Sequence, residues 1–258
     1  MTSIILALLI GSCEFPMDAT GSLSGYSFFQ QDEAHFVYGR IHNTTRILRC
    51  GRFSTLVGMD FTTYMGKNLN NPEMKFNIYG GHWNLSLELQ WAFSEMLLAR
   101  LYTDHECFHN IDMPDTSSEY MNNVKLGVAW EEGPAWAPVD GAVALLPVRW
   151  PSGWFSVGTY LPKGASFQKG HDFRWSYHLG LDVPLAEWRS LRAGSRYDWD
   201  VFFTESRDGS SRHRLEVYTG YRAGERSWFE LFYAAWPRDT QPFRRLNGRT
   251  CWGIRFTW

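Results

Sequence analysis

The last eight residues, CWGIRFTW, constrain this chain most. Trp252, Ile254, Phe256 and Trp258 alternate with Cys251, Gly253, Arg255 and Thr257. That period of two gives a β-strand one greasy face and one small or polar face. A strand at the end of a chain frays unless a neighbour holds it, so a sheet must receive it. The same pattern recurs over most of the chain after residue 34. Phe53, Thr55, Val57, Met59 and Phe61 alternate, as do Trp83, Leu85, Leu87, Leu89 and Trp91. Further along, Val124, Leu126, Val128 and Trp130 stand opposite Lys125, and Phe173 to Val183 opposite Arg174, His178 and Asp182. Tyr197 to Phe203, Leu215 to Tyr221 and Phe229 to Ala235 complete the series.

The breaks are less regular. Residues 14–33 read as a linker, with a short strand possible at Leu23 to Phe29. Thr62 to Glu73 reads as a polar loop from its Asn, Gly and Pro content. Gly80-Gly81-His82 reads as the turn of a hairpin. Residues 142–161 hold two apolar runs broken at Pro151-Ser152-Gly153. The strands run to roughly 9–11 residues with aromatics at their ends, which suits a transmembrane β-barrel with an apolar outside and a polar lumen. Backbone groups in lipid must all be paired, so such a sheet closes on itself. The expected fold is all-β: a closed antiparallel transmembrane β-barrel of about 12 strands, or 14 if Leu23 to Phe29 pairs. The expected division is an export signal and linker over 1–33 and a barrel domain over 34–258.

Composition agrees. Thirteen Trp and an aromatic content of 17% exceed what a soluble core uses, whereas membrane interfaces carry aromatic belts. No apolar run reaches the 18 or so residues of a spanning helix. The seven-residue run Ile4 to Ile10 suits the core of a secretory signal, and Ile10-Gly11-Ser12-Cys13 is a loose lipoprotein-type cleavage box. Cys13, Cys50, Cys107 and Cys251 form no CxxC pair, which argues against a zinc ribbon, and three full disulfide pairings remain open. A net charge of −2 gives no electrostatic case for nucleic acid.

The terminal stretch resembles the C-terminal signal of bacterial outer-membrane β-barrels, with Gly253, Phe256 and Trp258 in the signal positions and Cys251 where a polar residue is usual. The resemblance implies an outer-membrane location in a Gram-negative-type envelope. It also implies outer-membrane lipids and the barrel-assembly machinery as partners.

One stretch could carry chemistry: Leu97 to Asn110, LLARLYTDHECFHN. His105-Glu106-Cys107-Phe108-His109 matches the zinc-protease string HExxH, but that motif needs a helix. On a strand the two His stand about 13 Å apart, too far to share one ion. No metal or other cofactor is expected. The stretch resembles an uncharacterised outer-membrane barrel family with a His-x-Ser-Ser-His strand. Arg100, Tyr102, His105 and His109 match it, while Cys107 and Phe108 replace the two serines. It also resembles lipid A 3-O-deacylases, whose His-x-Ser pair on the lipid-facing surface corresponds to His105 and Cys107. That likeness implies a base beside a thiol nucleophile, with His109 and Glu106 as further candidates.

Counting strands back from the terminal one puts His105 and His109 at the periplasmic rim, which disfavours a lipid A enzyme. The leading expectation is therefore a non-enzymatic envelope or pore role for a barrel with a narrow or plugged, mixed-charge lumen. The alternative is a lipid acyl hydrolase using His105 and Cys107. Expected lumen residues are Arg100, Lys125, Glu131, Arg174, His178, Asp182, Asp198, Asp200, Arg214, Glu216, Arg222, Glu230 and Arg255, pairing across the interior.

Overall fold

A computed structural model describes residues 13–16, 18–32, 34–67, 76–110, 119–130, 151–162, 172–206, 208–241 and 245–258. Twelve long strands form one antiparallel sheet: β2 (Asp18–Phe28), β3 (Val37–Cys50), β4 (Phe53–Lys67), β5 (Phe76–Ala92), β6 (Leu97–Asn110), β7 (Glu119–Trp130), β8 (Ser152–Tyr160), β9 (Phe173–Trp188), β10 (Leu191–Thr204), β11 (Gly209–Arg222), β12 (Trp228–Asp239) and β13 (Thr250–Thr257). Each pairs with the next in sequence, and β13 returns to β2 from Cys251 opposite Phe28 to Thr257 opposite Ser22. Two backbone bonds between Gly21 and Trp258, at 3.0 and 3.1 Å, carry the seam to the last residue. The expected closed 12-strand barrel is thus met, and the seam leaves no edge open. A two-residue strand β1 (Cys13–Glu14) adds to the end of β3, where Cys13 and Cys50 form a disulfide.

The alternation sorts the side chains. On β12, Phe229, Leu231 and Tyr233 are exposed outside, while Trp228, Glu230, Phe232 and Ala234 are buried inside. On β13, Trp252 and Ile254 face outward and Cys251, Gly253 and Arg255 inward. Exposed large apolar side chains therefore cover the outer face, as in a sheet whose outside meets an apolar medium.

Several boundaries differ from the sequence reading. The stretch 14–33 contains β2, a full barrel strand, because Ser, Thr and Gly suit a lumen-facing alternation as well as a linker. Thr62 to Lys67 continues β4 instead of entering a loop. Gly80-Gly81-His82 lies inside β5, where the pairing with β4 shifts register between Tyr64 and Met65. The residue left unpaired there is Tyr79, so the two glycines adjoin a bulge and do not form a turn. The apolar run Ile4 to Ile10 and the first of the two runs in 142–161 lie outside the described residues.

The tight turns at Gly51-Arg52 and Arg189-Ser190 lie at the same end of the barrel as Trp258. Gly51 has φ +57°, a conformation that favours glycine. We call this the terminal end. At the opposite, far end two apolar clusters occupy the lumen. One joins Phe28, Tyr38, Tyr64, Trp236 and Leu246; the other joins Met121, Tyr160 and Phe173, packed by Phe108 and Phe202.

Candidate functional site

The strand count changes the placement of the chemistry-bearing stretch. The turn at 93–96 lies at the terminal end, so β6 runs from there toward the far end. His105, Cys107 and His109 therefore lie toward the far end and not at the terminal rim, a correction to the count through 142–161.

Parity on β6 then separates the residues. Tyr102 and Asp104 are buried inside, while Leu101 is 44% exposed outside. His105, Cys107 and His109 share the outer face with Leu101. Glu106 faces the lumen, with its Oε1 3.9 Å from Lys125 Nζ and 3.4 Å from Asn84 Nδ2. The barrel wall separates it from Cys107, so Glu106 is no partner for that thiol.

Sequence reasoning missed Asn122. It lies opposite His105 on β7, and its Oδ1 is 2.8 Å from His105 Nδ1. With Nδ1–H donating to the amide oxygen, the ring is held in one tautomer and Nε2 keeps its lone pair. A signal was available: Asn122 continues the outward series Val124, Leu126, Val128 backward, and a polar residue on an apolar face calls for a reason. Cys107 is a half-buried free thiol, and the ring of Tyr120 lies 6.2 Å from that of His105. Among the described contacts none joins the His105 ring to the Cys107 thiol. Side chains two apart on a strand face the same way about 6.6 Å from each other, within reach of a substrate held between them. His109 stands about 13 Å from His105 along the strand. Among the described residues no group of three His, Cys, Asp or Glu side chains could hold a metal ion.

The height of the pair is set by its neighbours. Cys107 pairs with Trp83, which packs on Phe61 with ring centroids 4.3 Å apart, and His105 pairs with Leu85. The site therefore sits where the apolar outer band meets an aromatic girdle.

The lumen carries most of the charged residues expected there, organised along the wall more than across it. Lys125 Nζ donates to Asp104 at 2.5 Å, Arg100 Nε to Glu88 at 2.5 Å, and His178 Nδ1 lies 2.7 Å from Asp200. From β9 to β13 the bonds form a continuous belt. Arg196 donates to Asp182 at 2.7 Å, to Glu216 at 2.9 Å, and to Glu230 at 2.9 and 3.0 Å. Arg255 donates to Glu216 at 2.7 Å and to Glu230 at 3.1 Å. Arg214 bonds Asp198 at 3.0 Å and also Glu216. Arg222 bonds Glu187 near the terminal end. A cavity of about 760 Å³ lies beside this belt, touching Arg40, Asp60, Arg214 and Trp258. Arg174 departs from the expectation, because a bulge opposite Phe203 and Thr204 takes it out of the alternation. Glu131 lies outside the described residues.

Polar contacts also fix the far end. In the β2–β3 loop, Asp32 accepts from the Ala34 and His35 amides at 2.9 and 2.8 Å, and from Arg249. Burial raises its pKa, but the His35 ring, the Ala34 amide and the Arg249 guanidinium outweigh that and bring it down to about 2.

No family model matches the chain, and no curated protein matches it. Solved structures do. The outer membrane phospholipase A from Escherichia coli is 10% identical over 98% of this chain and 96% of its own, with a TM-score of 0.54. An asparagine-to-alanine active-site mutant of that enzyme is 8% identical over 94% of this chain and 90% of its own, with a TM-score of 0.53. The KdgM porin is 8% identical over 93% of this chain and 98% of its own, with a TM-score of 0.48. At such identities the likeness is one of architecture: the chain has the fold of bacterial outer-membrane β-barrel proteins.

Proposed function

We propose that this chain is an outer-membrane barrel that hydrolyses an acyl ester of a membrane lipid on its outer wall. Cys107 is the nucleophile, His105 the general base, and Asn122 the residue that positions the imidazole. The observation that carries the proposal is the 2.8 Å contact between His105 Nδ1 and Asn122 Oδ1, on the outer face and two residues from a free thiol. Polar, ionisable groups on a lipid-facing surface are costly, and function is the usual reason they persist. Barrels of this kind keep short turns in the periplasm, and the terminal end has such turns at Gly51-Arg52 and Arg189-Ser190, which supports an outer-leaflet level for the far end. Ester carbonyls of lipids lie near the aromatic girdle, the level at which Trp83 and Phe61 flank Cys107.

The chemistry follows from those positions. His105 Nε2 takes the thiol proton, and the thiolate attacks the ester carbonyl. The tetrahedral intermediate collapses, the alcohol leaves with the proton held on His105, and an acyl thioester forms at Cys107. Water, deprotonated by the same nitrogen, then releases the fatty acid and restores the thiol. The lumen takes no part in these steps. The apolar clusters at its far end support a barrel that does not conduct.

A second reading keeps the non-enzymatic envelope role. It is favoured by the lack, among the described contacts, of one joining the His105 ring to the Cys107 thiol. Release of fatty acid from phospholipid vesicles by purified barrel, compared with Cys107→Ala, decides between them. Loss of release in the variant is expected. Equal, background-level release from both proteins would establish the non-enzymatic role.

A further inference from the structure

On the outer wall near the far end, β8, β9 and β10 frame a groove of about 610 Å³. Its floor is aromatic: Trp175, 55% exposed, with Tyr177 and Phe203, whose rings meet edge to face at 5.9 Å. Its polar end is Arg174, beside Thr204 and Glu205. Strict alternation with Ser176 and His178 would turn Arg174 into the lumen. The bulge, in which Phe203 pairs with Trp175 but Thr204 with Phe173, sets it at the rim of the groove instead.

We infer that this groove holds a phosphorylated lipid, with the phosphate on Arg174 and an acyl chain along Trp175, Tyr177 and Phe203. Arg174 Nη2 reaches Glu205 Oε2 at 3.3 Å, and that carboxylate is 75% exposed. A surface pair of this kind contributes little and exchanges readily. A phosphate offers the guanidinium paired, charge-assisted bonds that one mobile carboxylate does not. Aromatic rings at the girdle present an apolar face to a chain while a cation above them meets the headgroup layer. A neutral lipid would leave the arginine with only Glu205, and a free phosphate would leave the aromatic floor bare.

The groove begins close to the proposed catalytic wall. Thr159, which lines it, pairs with Val124, two residues along β7 from Asn122. From β6, which carries Cys107, to β9 is three strand spacings, roughly 14 Å. One lipid with several chains covers that distance, so the inference deepens the hydrolase reading by naming a phosphorylated substrate, and rests on it for the outward level of the far end. Its test does not need turnover.

The test uses the full-length barrel with His105→Ala as background, so that no lipid is consumed. Native mass spectrometry counts lipid retained from detergent micelles, free of other phospholipid, doped with phosphatidylglycerol or with diacylglycerol of the same chains. Arg174→Ala should lower phosphatidylglycerol retention about tenfold, the size of one charge-assisted bond, and leave diacylglycerol unchanged. Glu205→Gln, which frees the guanidinium, should raise phosphatidylglycerol retention. Inorganic phosphate at millimolar concentration should not displace the lipid; displacement would overturn the lipid assignment in favour of a free-phosphate site. Equal retention by Arg174→Ala, or equal loss of both lipids, would overturn the inference. Selective loss of phosphatidylglycerol in Arg174→Ala, together with a barrel carrying the native His105 that releases no fatty acid, would support the groove while removing the hydrolase.

Discussion

Glu230 offers the most searching perturbation of the lumen belt. Its side chain has no exposed surface and accepts from Arg192 at 2.6 Å, Arg196 at 2.9 and 3.0 Å, and Arg255 at 3.1 Å. Glu230→Ala leaves three guanidinium groups facing one another. Breaking a buried ion pair by removing one partner costs about 3–5 kcal/mol. Two features lower that figure here. The three arginines are 12–19% exposed, and Glu216 remains to take up Arg196 and Arg255. The expected loss is about 3 kcal/mol, with about 2 kcal/mol for Glu230→Gln, which keeps the shape and loses the charge. Denaturant titration of the barrel in detergent, followed by the heat-modifiable shift on gels, reads the difference. Glu225→Gln, at an exposed turn, is the control and should stay within about 0.5 kcal/mol of wild type. A Glu230→Ala barrel no less stable than that control would refute the claim that the belt stabilises the wall.

Three further outcomes follow from the seam and the far end. Deleting Phe256 to Trp258 removes the Gly21–Trp258 bonds and should sharply lower the amount of folded barrel in the outer membrane; normal levels on fractionation would contradict it. Gly253→Ala should weaken the β2–β13 seam, because a Cβ there would stand 2.6 Å from the Gly25 carbonyl oxygen, whereas Gly25→Ala meets nothing within 4 Å and should be tolerated in the same melt. Asp32 has a folded pKa of about 2 against an ordinary value of 3.8, so its contribution is fully present above about pH 4 and fades as pH falls toward 2. The stability difference between wild type and Asp32→Asn should shrink as pH falls from about 4 toward 2; a difference unchanged across that interval would contradict it.

Much of the barrel was legible because a wall with one apolar and one polar face writes period two into each strand. Phe229 to Ala235 and Cys251 to Trp258 were readable residue by residue for that reason. The signal failed where the outer face is short of large apolar groups. Asp18 to Phe28 is rich in Ser, Thr and Gly, and such a strand looks like a linker until its partners hold it. It failed again where one extra residue shifts the phase, at Tyr79 and at Arg174. The candidate site was half legible. His105 and Cys107 share a face by parity alone, but the contact to Asn122 depends on the register of β6 against β7, which local patterning does not encode. Strand direction was misjudged for a related reason: one miscounted strand inverts every strand before it.

The most direct test of the central claim is the mass of the Cys107 peptide after a short reaction with phospholipid, quenched in acid. An acyl thioester on Cys107 in the wild-type barrel is expected, with about tenfold or greater loss of adduct in Asn122→Ala and no adduct at all in His105→Ala. Unmodified Cys107 during lipid cleavage that survives Cys107→Ala, or no cleavage by any of these proteins, would contradict it.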